Sequence, residues 1–481
     1  MIRTLSHQFI EWTCYKSHSE FVRSLGNLEN TQLTILHKLT GSRDYESFKK
    51  LFHVTSYSEW RETIEERRIT EKNITQFVPT SGSTQKLKWI PYTKEFKSEL
   101  WKATAPWLYD IYNRHPKIKQ GTHFWSLSWL PQDLRHDHQT DDLDFFVGME
   151  KIFLQIIMTM PKSAANAPTL EDSMKEALLA LINKDVTLIS IWSPTFLLEL
   201  LDFLFVEKEY FLSLVDERTK DILLRHKRLS PAFTKELFPE LILISSWATS
   251  TSAHYAGILQ NLFSHAKFEA KGLWATEGVV TIPYKGHFPL AVNSHFYEFI
   301  VENTGEVLPS WELKQGMKVS PLLSTSGGLL RYRLNDLLLV DEFVEKTPCF
   351  KFLGRINEVD LVGEKIASEL AAEILSVISN EFPVKAISLM AFIEPHPHYM
   401  ILVEGRTRED LLKNICGRTE ELLEQNFHYK LARELHQLSE CRVLCSEKAM
   451  DDYLRFCEKQ VSIRGNIKLE PLLLVRGSQN E

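Results

Sequence analysis

The chain has 481 residues, too many for one small core, so two or more domains are expected. A formal net charge of −7 excludes the basic excess of a nucleic-acid binder, and 44% apolar with 25% charged residues is an ordinary soluble balance. The six cysteines form no C-x-x-C pair, and Cys441 and Cys445 lack a neighbouring His, so reduced cytosolic thiols are expected rather than zinc ligands. The opening MIRTLSHQFIEW has no continuous apolar core, so it does not read as a signal peptide. No run approaches the ~18 apolar residues of a spanning helix. A cytoplasmic monomer without membrane or nucleic-acid partners is the expectation, because nothing points to an obligate assembly.

Residues 1–75 read as helical. Leu33, Ile35, Leu36 and Leu39 fall at helical spacing, and Tyr57-Ser58-Glu59-Trp60 opens a further helix running to Arg68. The run Thr80-Ser81-Gly82-Ser83-Thr84-Gln85-Lys86-Leu87-Lys88 follows, then Trp89-Ile90-Pro91-Tyr92-Thr93. Gly82 lets the backbone approach a ligand closely. The Ser and Thr hydroxyls and consecutive N–H groups can form an anion-binding nest, and Lys88 adds a compact positive charge. Together they can hold a polyphosphate. The pattern is not GxxxxGK[ST], and no GxGxxG occurs. A Ser/Thr-rich turn between two strands accounts for the same residues, and both readings stay open here.

Residues 121–148 carry His136 and His138 among Asp133, Asp137, Asp141, Asp142 and Asp144. Divalent metals use such ligands, but the run is polar and loop-like, and solvated charge is the better reading. Trp125, Ser126, Ser128 and Trp129 alternate large and small, as a strand lining an acyl pocket or a core strand would. Leu170–Ile182 reads as a helix, residues 185–192 as a buried strand, and 196–205 as a packed helix interrupted by Glu199 and Asp202. Ser193 is the expected N-cap, with Pro194 in the first turn. Residues 241–247 repeat the strand, 248–252 form a small polar turn, and 253–263 a helix. Strand, short loop and helix make the βα unit of an α/β domain, whose ligands lie at strand carboxyl ends.

Further on stand Leu273-Trp274-Ala275-Thr276-Glu277-Gly278 and, after the turn Ser324-Thr325-Ser326-Gly327-Gly328, the segment Leu330-Arg331-Tyr332-Arg333-Leu334-Asn335-Asp336. A strand salt-bridged between Asp336 and Arg331 or Arg333 is the bland account of the latter. Leu353-Gly354-Arg355-Ile356-Asn357-Glu358 and Leu361-Val362-Gly363-Glu364-Lys365-Ile366 follow, then a helix over 367–379. Strands are expected near 386–393 and 399–403, with Glu394-Pro395-His396-Pro397-His398 as the turn between them. Helices are expected over 410–423 and 429–438.

These motifs, in order, resemble those of the adenylate-forming superfamily. The Trp89–Thr93 stretch resembles one branch, the plant auxin-responsive acyl-acid amido synthetases and their bacterial relatives. The resemblance covers nearly the whole chain. Three positions depart from it: Gln85 and Asn335 stand where Gly is usual, and Leu87 where Pro is common. Asn is the next residue most tolerant of the positive φ that Gly would allow at 335.

The fold class implied is α/β. A large adenylating domain of mixed sheets and helices spans residues 1–353, and a smaller α+β lid domain spans 354–481. The resemblance implies MgATP as cofactor, bound by Thr80, Ser81, Gly82, Ser83, Thr84, Thr276, Tyr332, Asp336 and Arg355. Asp336 takes the ribose hydroxyls, and Glu277 holds the magnesium. Lys88, Glu277, Lys365 and Lys468 are the implied catalytic residues, and Asn357 sits at the pivot of a Gly-Arg hinge. Asn426-Phe427-His428-Tyr429 and Gly465-Asn466-Ile467-Lys468-Leu469-Glu470-Pro471 resemble elements of the family's lid. The activity implied is a ligase: a small carboxylic acid is adenylated, then passed to an amine, expected to be an amino acid. A thiol acceptor and a catalytically inactive nucleotide-binding homologue are the alternatives. No GxSxG occurs, so a serine hydrolase is excluded.

Overall fold

The computed structural model describes residues 2–65, 74–80, 88–125, 149–159, 162–249, 252–356, 358–406, 409–458 and 470–475. Two compact units emerge: Met1–Pro79 with Trp89–Gly354, and Thr80–Lys88 with Arg355–Glu481.

In the larger unit, the first helix, Ile2–Leu25, buries Ile10, Cys14, Ser17, Phe21 and Leu25. Their spacing of three and four puts them on one face, and the helix packs on those of Lys94–Arg114 and Met149–Ile157. Helices Leu28–Thr40, Tyr45–Leu51 and Tyr57–Glu65 continue the helical start. The expected helical stretch ends before residue 75, because Ile74 begins strand β1 (Ile74–Thr80), which pairs with β2 (Lys88–Thr93). Four strands form the parallel sheet: β3 (Thr122–Trp125), β4 (Val186–Ser190), β5 (Leu243–Ser246) and β6 (Lys267–Ala270), in that order. All of β4 is buried, as expected of a central parallel strand covered on both faces.

The helix Leu170–Ile182 has the bounds read from its periodicity, capped by Thr169, whose hydroxyl accepts the N–H of Asp172 at 3.0 Å. Ser193 does occupy the N-cap of Pro194–Val206, but its Oγ lies 2.6 Å from Thr195 Oγ1 and caps no backbone N–H. In that helix burial raises the Glu199 carboxyl to about 7, with Asp202 adding repulsion.

A short hairpin of β7 (Trp274–Ala275) and β8 (Gly278–Val279) leads into an antiparallel sheet. Its strands are β9 (Phe296–Val301), β10 (Val307–Pro309), β11 (Lys318–Ser324), β12 (Tyr332–Arg333), β13 (Asp336–Val344) and β14 (Thr347–Arg355). The order is β10-β9-β11-β13-β14, with β12 also on β11. One apolar cluster joins the first helix, β2, the helix 94–114 and this sheet.

The smaller unit starts with the pair β15 (Glu358–Val359) and β16 (Ile366–Ala367), followed by helix Ser368–Glu381. Strands β17 (Lys385–Phe392), β18 (His398–Glu404), β19 (Arg442–Ser446) and β20 (Leu472–Val475) form a mixed sheet in the order β19-β18-β17-β20. Helices Glu409–Leu423, Phe427–Glu434 and Ala449–Glu458 complete the unit. Among the described residues no helix is long and apolar enough to cross a membrane, and Cys349, Cys416 and Cys441 are free thiols.

Candidate functional site

The segment Leu273–Val280 folds back on itself as the hairpin of β7 and β8. Trp274 pairs with Val279 and Ala275 with Gly278, so Thr276 and Glu277 form its two-residue tip. Thr281 fixes the base: its hydroxyl accepts the N–H of Leu273 at 2.8 Å, and its carbonyl accepts Trp274 Nε1 at 3.0 Å. Gly278 has φ 152°, and a Cβ there would lie 3.0 Å from His295 Nε2, so glycine is needed for both backbone and space.

Three elements distant in sequence converge on this tip. The Tyr92 hydroxyl, from β2, donates to the carbonyl of Thr276 at 2.8 Å. The Tyr332 hydroxyl, from β12, reaches Glu277 Oε1 at 3.4 Å. His295, fully buried, accepts the N–H of Val279 on Nε2 at 3.3 Å and therefore carries its proton on Nδ1, 3.0 Å from Glu99 Oε2. Glu99 also accepts the backbone N–H of Ser326 at 3.2 Å and the Ser326 hydroxyl. The Ser-Thr-Ser-Gly-Gly turn is thereby tied to the helix that follows β2. Thr93 reinforces the tie, accepting from Phe96 N at 3.0 Å and donating to the Ser326 carbonyl at 2.9 Å.

Asp336 opens β13 and is 2% exposed. Glu277 is 8% exposed. Both expected ATP-binding carboxylates therefore sit in a part of the fold where water contributes little screening, and charge there acts more strongly. Of the two arginines that the bland account offered to Asp336, Arg331 bonds elsewhere. Its Nε and Nη2 bond both oxygens of Glu298, at 2.9 and 2.8 Å, and its Nη1 donates to the Phe52 carbonyl at 2.7 Å. Tyr45 donates to the same Glu298 at 2.8 Å. Burial raises the Glu298 carboxyl and Arg331 opposes that rise. The positive φ of the segment lies at Arg331 (49°) and not at Asn335, so Asn335 does not serve as a substitute for a left-handed glycine.

The Tyr57–Trp60 helix start is also part of this assembly. Tyr57 Oη accepts the N–H of Trp89 at 2.8 Å. Trp60 Nε1 donates to Thr55 Oγ1 at 2.9 Å, and Thr55 pairs with the backbone on both sides of Tyr332. The strand that leaves Lys88 and the strand that carries Tyr332 are thus fixed to one helix.

In the smaller unit, Arg355 Nη1 bonds Glu358 Oε2 at 2.7 Å. Glu364 is fully buried and accepts the N–H groups of Leu361 and Val362 at 2.8 Å each, and the Tyr399 hydroxyl. Burial, with the charge of Asp360, raises its carboxyl. Lys365 follows at φ 50°, half-buried. A lysine held in the left-handed region is a local strain that its surroundings must maintain. Asn426 caps the next helix, accepting from His428 N at 2.9 Å and Tyr429 N at 3.0 Å. This explains the Asn-x-x-Tyr spacing.

Thr80 ends β1 and Lys88 begins β2. Ser81, Gly82, Ser83, Thr84, Gln85, Asn357 and Lys468 lie outside the described residues, as do His136, His138 and the candidates Ser126, Ser128 and Trp129. Sequence reading missed Tyr92, Glu99 and His295, which bond to the motifs only through tertiary contacts. It also missed Lys271, directly after β6. The signal available for that residue was a tryptophan at or just past the end of each of β3, β4 and β5.

A family sequence model described as the GH3 family N-terminal domain matches residues 21–228, and one described as the GH3 family central domain matches 288–355. A jasmonoyl–L-amino acid synthetase, JAR4, of Nicotiana attenuata is 28% identical over 206 residues, covering 38% of this chain and 35% of its own length. The 4-substituted benzoates-glutamate ligase GH3.12 of Arabidopsis thaliana is 24% identical over 192 residues, covering 36% and 33%. The chain thus spans about a third of the length of these curated relatives. The solved structure of a GH3.15 acyl acid amido synthetase in complex with 2,4-DB superposes with a TM-score of 0.63 at 16% identity. It covers 98% of this chain and 95% of that one, which shows the shared fold.

Proposed function

Because the chain belongs to the GH3 family, we propose that it is an ATP-dependent acyl-acid amido synthetase. It adenylates a small carboxylic acid, releasing pyrophosphate, then transfers the acyl group to an amino acid and releases AMP. The observation that carries this reading is the convergence of Tyr92, Tyr332 and the Thr276-Glu277 tip, with Asp336 buried at the start of β13.

In this reading Asp336 accepts hydrogen bonds from the ribose hydroxyls, as a fixed carboxylate does well. The backbone at Thr276, held by Tyr92, orients the nucleotide and the acyl carboxylate. The Thr80–Thr84 segment and Lys88 hold the phosphates and offset the charge that develops on them. Glu277 would hold Mg2+. Among the described residues no cluster of three or more His, Cys, Asp or Glu is present, and Mg2+ needs none: it takes one or two carboxylates and draws its other ligands from phosphate and water. When bound, it supplies Lewis-acid neutralisation of the phosphates. Residues 1–353 are assigned to adenylation and 354–481 to the lid, whose Arg355, Lys365 and Lys468 serve the nucleotide and the transfer step. A cytoplasmic monomer is part of the proposal.

The test is Asp336→Ala. It should abolish acid-dependent AMP formation while circular dichroism and thermal melting stay as in the wild type. Wild-type-like turnover in the folded variant would overturn the ribose role. Amino acids and coenzyme A, offered separately as acceptors, separate amide from thioester formation. AMP release driven only by coenzyme A would overturn the amide assignment.

A further inference from the structure

The carboxyl edge of the parallel sheet carries an arrangement that the adenylation chemistry leaves unused. Each strand delivers a functional side chain there: Trp125 ends β3, Ser190 ends β4 with Trp192 beyond it, Trp247 follows β5, and Lys271 follows β6. Lys271 is 6% exposed. Its Nζ lies 5.1 Å from the Trp107 ring centroid, 5.2 Å from Trp192 and 5.1 Å from Trp274, and donates to Ser190 Oγ at 2.7 Å. The indoles also pack on one another, Trp107 against Trp125 and Trp274, and Trp192 against Trp247 and Trp274. Trp125, Trp192, Trp247 and Trp274 are only half-buried, so the cluster reaches the surface through its own walls.

The position of Lys271 is set by backbone rather than by its head group. Its N–H bonds the Ser246 carbonyl at 2.9 Å. The next residue, Gly272, lies so close to the following chain that a Cβ would sit 2.1 Å from the Thr281 carbonyl oxygen. The amine is therefore delivered to the indole cluster by a segment with no room to shift. Two residues further on, Trp274 opens the hairpin whose tip carries Thr276 and Glu277.

Among the described residues this amine has no carboxylate partner. The nearest acidic neighbour in sequence, Glu269, accepts from Trp107 Nε1 at 2.8 Å and pairs with Arg114, which also binds Asp110 at 2.7 Å. A buried ammonium with one hydroxyl and three indole faces has cation–π support but no counter-charge. Burial accordingly pulls its pKa down to about 7, with Glu269 opposing. A group so placed gains most from an anion that arrives with a ligand. Ligands of parallel sheets bind at this edge.

We propose that Lys271, within its tryptophan cage, recognises a second anionic group on the substrate acid, so that the preferred substrates are dicarboxylic acids with a flat apolar body between the two carboxylates. This rests on the amido synthetase reading. One carboxylate is presented near Thr276 for activation, the body lies along the half-buried indoles, and the distal carboxylate meets Nζ. Lys271 acts here as a specificity residue and makes no contact with the reacting atoms.

The full-length chain is titrated with benzoate against benzene-1,4-dicarboxylate, and with hexanoate against hexanedioate, following tryptophan emission. The wild type should bind each diacid about tenfold or more tighter than its monoacid, the range of one charge-assisted bond. Lys271→Met, close in length and lacking the charge, should lose that preference while binding monoacids as before. Lys271→Arg should restore part of it, which a merely structural lysine would not require. Equal wild-type binding of mono- and diacids, or no binding of either, overturns the proposal without need of a variant. Equal weakening of both classes in Lys271→Met also overturns it. The same acids are then run in ATP–pyrophosphate exchange. A Lys271-dependent diacid preference in binding with no exchange would sink the activity assignment and leave the cage standing. Exchange with monoacids that ignores Lys271 would do the reverse.

Discussion

Replacing Arg331 by Met tests whether this motif residue acts in the scaffold or at the nucleotide. The guanidinium makes three hydrogen bonds, two to Glu298 and one to the Phe52 carbonyl, and lies 5.7 Å from the Phe48 ring. Met retains much of the length and, like Arg, has a Cβ, so the backbone cost at φ 49° is similar in both. What changes is that Glu298, 1% exposed, loses both guanidinium bonds and keeps the Tyr45 hydroxyl as a donor. Leaving a buried carboxylate without its cation costs about 3–5 kcal/mol. The pH dependence has a definite sign. Burial already raises the Glu298 carboxyl, and Arg331 is what lowers it. Without Arg331 the folded-state pKa rises further above the unfolded value. Stability from the protonated form is then present at low pH and lost as pH rises through the folded pKa. The deficit against wild type should therefore be largest at neutral pH and shrink on acidification. Urea unfolding followed by tryptophan emission reads it, with Trp311 5.7 Å from the Tyr45 ring as a local reporter. Glu298→Gln combined with Arg331→Met should recover most of the loss, because the buried charge goes with its partner. A single-variant cost below about 1 kcal/mol, the size of an exposed pair, or a deficit that grows on acidification, would refute this reasoning.

Lys88→Ala should slow adenylate formation, read as pyrophosphate release, with little change in amino-acid affinity; a change confined to the amine would remove Lys88 from the phosphate site. Glu277→Gln should raise the Mg2+ concentration needed for half-maximal exchange roughly tenfold or more, about the effect of losing one charge-assisted contact; an unchanged Mg2+ titration would contradict the metal role. Gly278→Ala forces a Cβ to 3.0 Å from His295 at φ 152°, and should lower both the melting temperature and exchange activity by disturbing the hairpin tip. Glu199, pushed up to about 7 by burial, contributes stability below the unfolded carboxyl range that is lost as pH rises through about 7. Glu199→Gln should thus gain on wild type between pH 5 and pH 8, and a constant difference across that range would count against it.

Periodicity was enough to read those elements of this fold whose burial is one-sided or continuous. The helix Leu170–Ile182 agrees with its pattern to the residue, and strand β4 lies inside the run 185–192 that was read as a strand. The helix read over 429–438 shows where pattern fails: it ends at Glu434. His436 adopts φ 57° and donates to the Arg433 carbonyl, while Gln437 N bonds the Ala432 carbonyl, the two bonds of a Schellman stop. That stop is usually announced by glycine, and histidine in its place gives no signal.

The same logic separates the legible from the hidden parts of the site. Thr276, Glu277, Tyr332 and Asp336 could be named because they lie in contiguous motifs. The residues that hold them could not, since Tyr92, Glu99 and His295 act across the chain. Arg331 entered the sequence reading only as a possible salt-bridge partner of Asp336, yet its partner Glu298 lies on β9, and only the sheet register brings them together. Lys271 is the extreme case: its cage draws one indole from each of three separate elements.

The most direct measurement is ATP–pyrophosphate exchange by the full-length chain across aryl, indolyl, fatty, amino and dicarboxylic acids, with Asp336→Ala alongside. The account expects acid-dependent exchange with at least one class and none in the folded variant. ATP binding by calorimetry without exchange on any acid would contradict the adenylation reading. Exchange that survives Asp336→Ala would contradict the site.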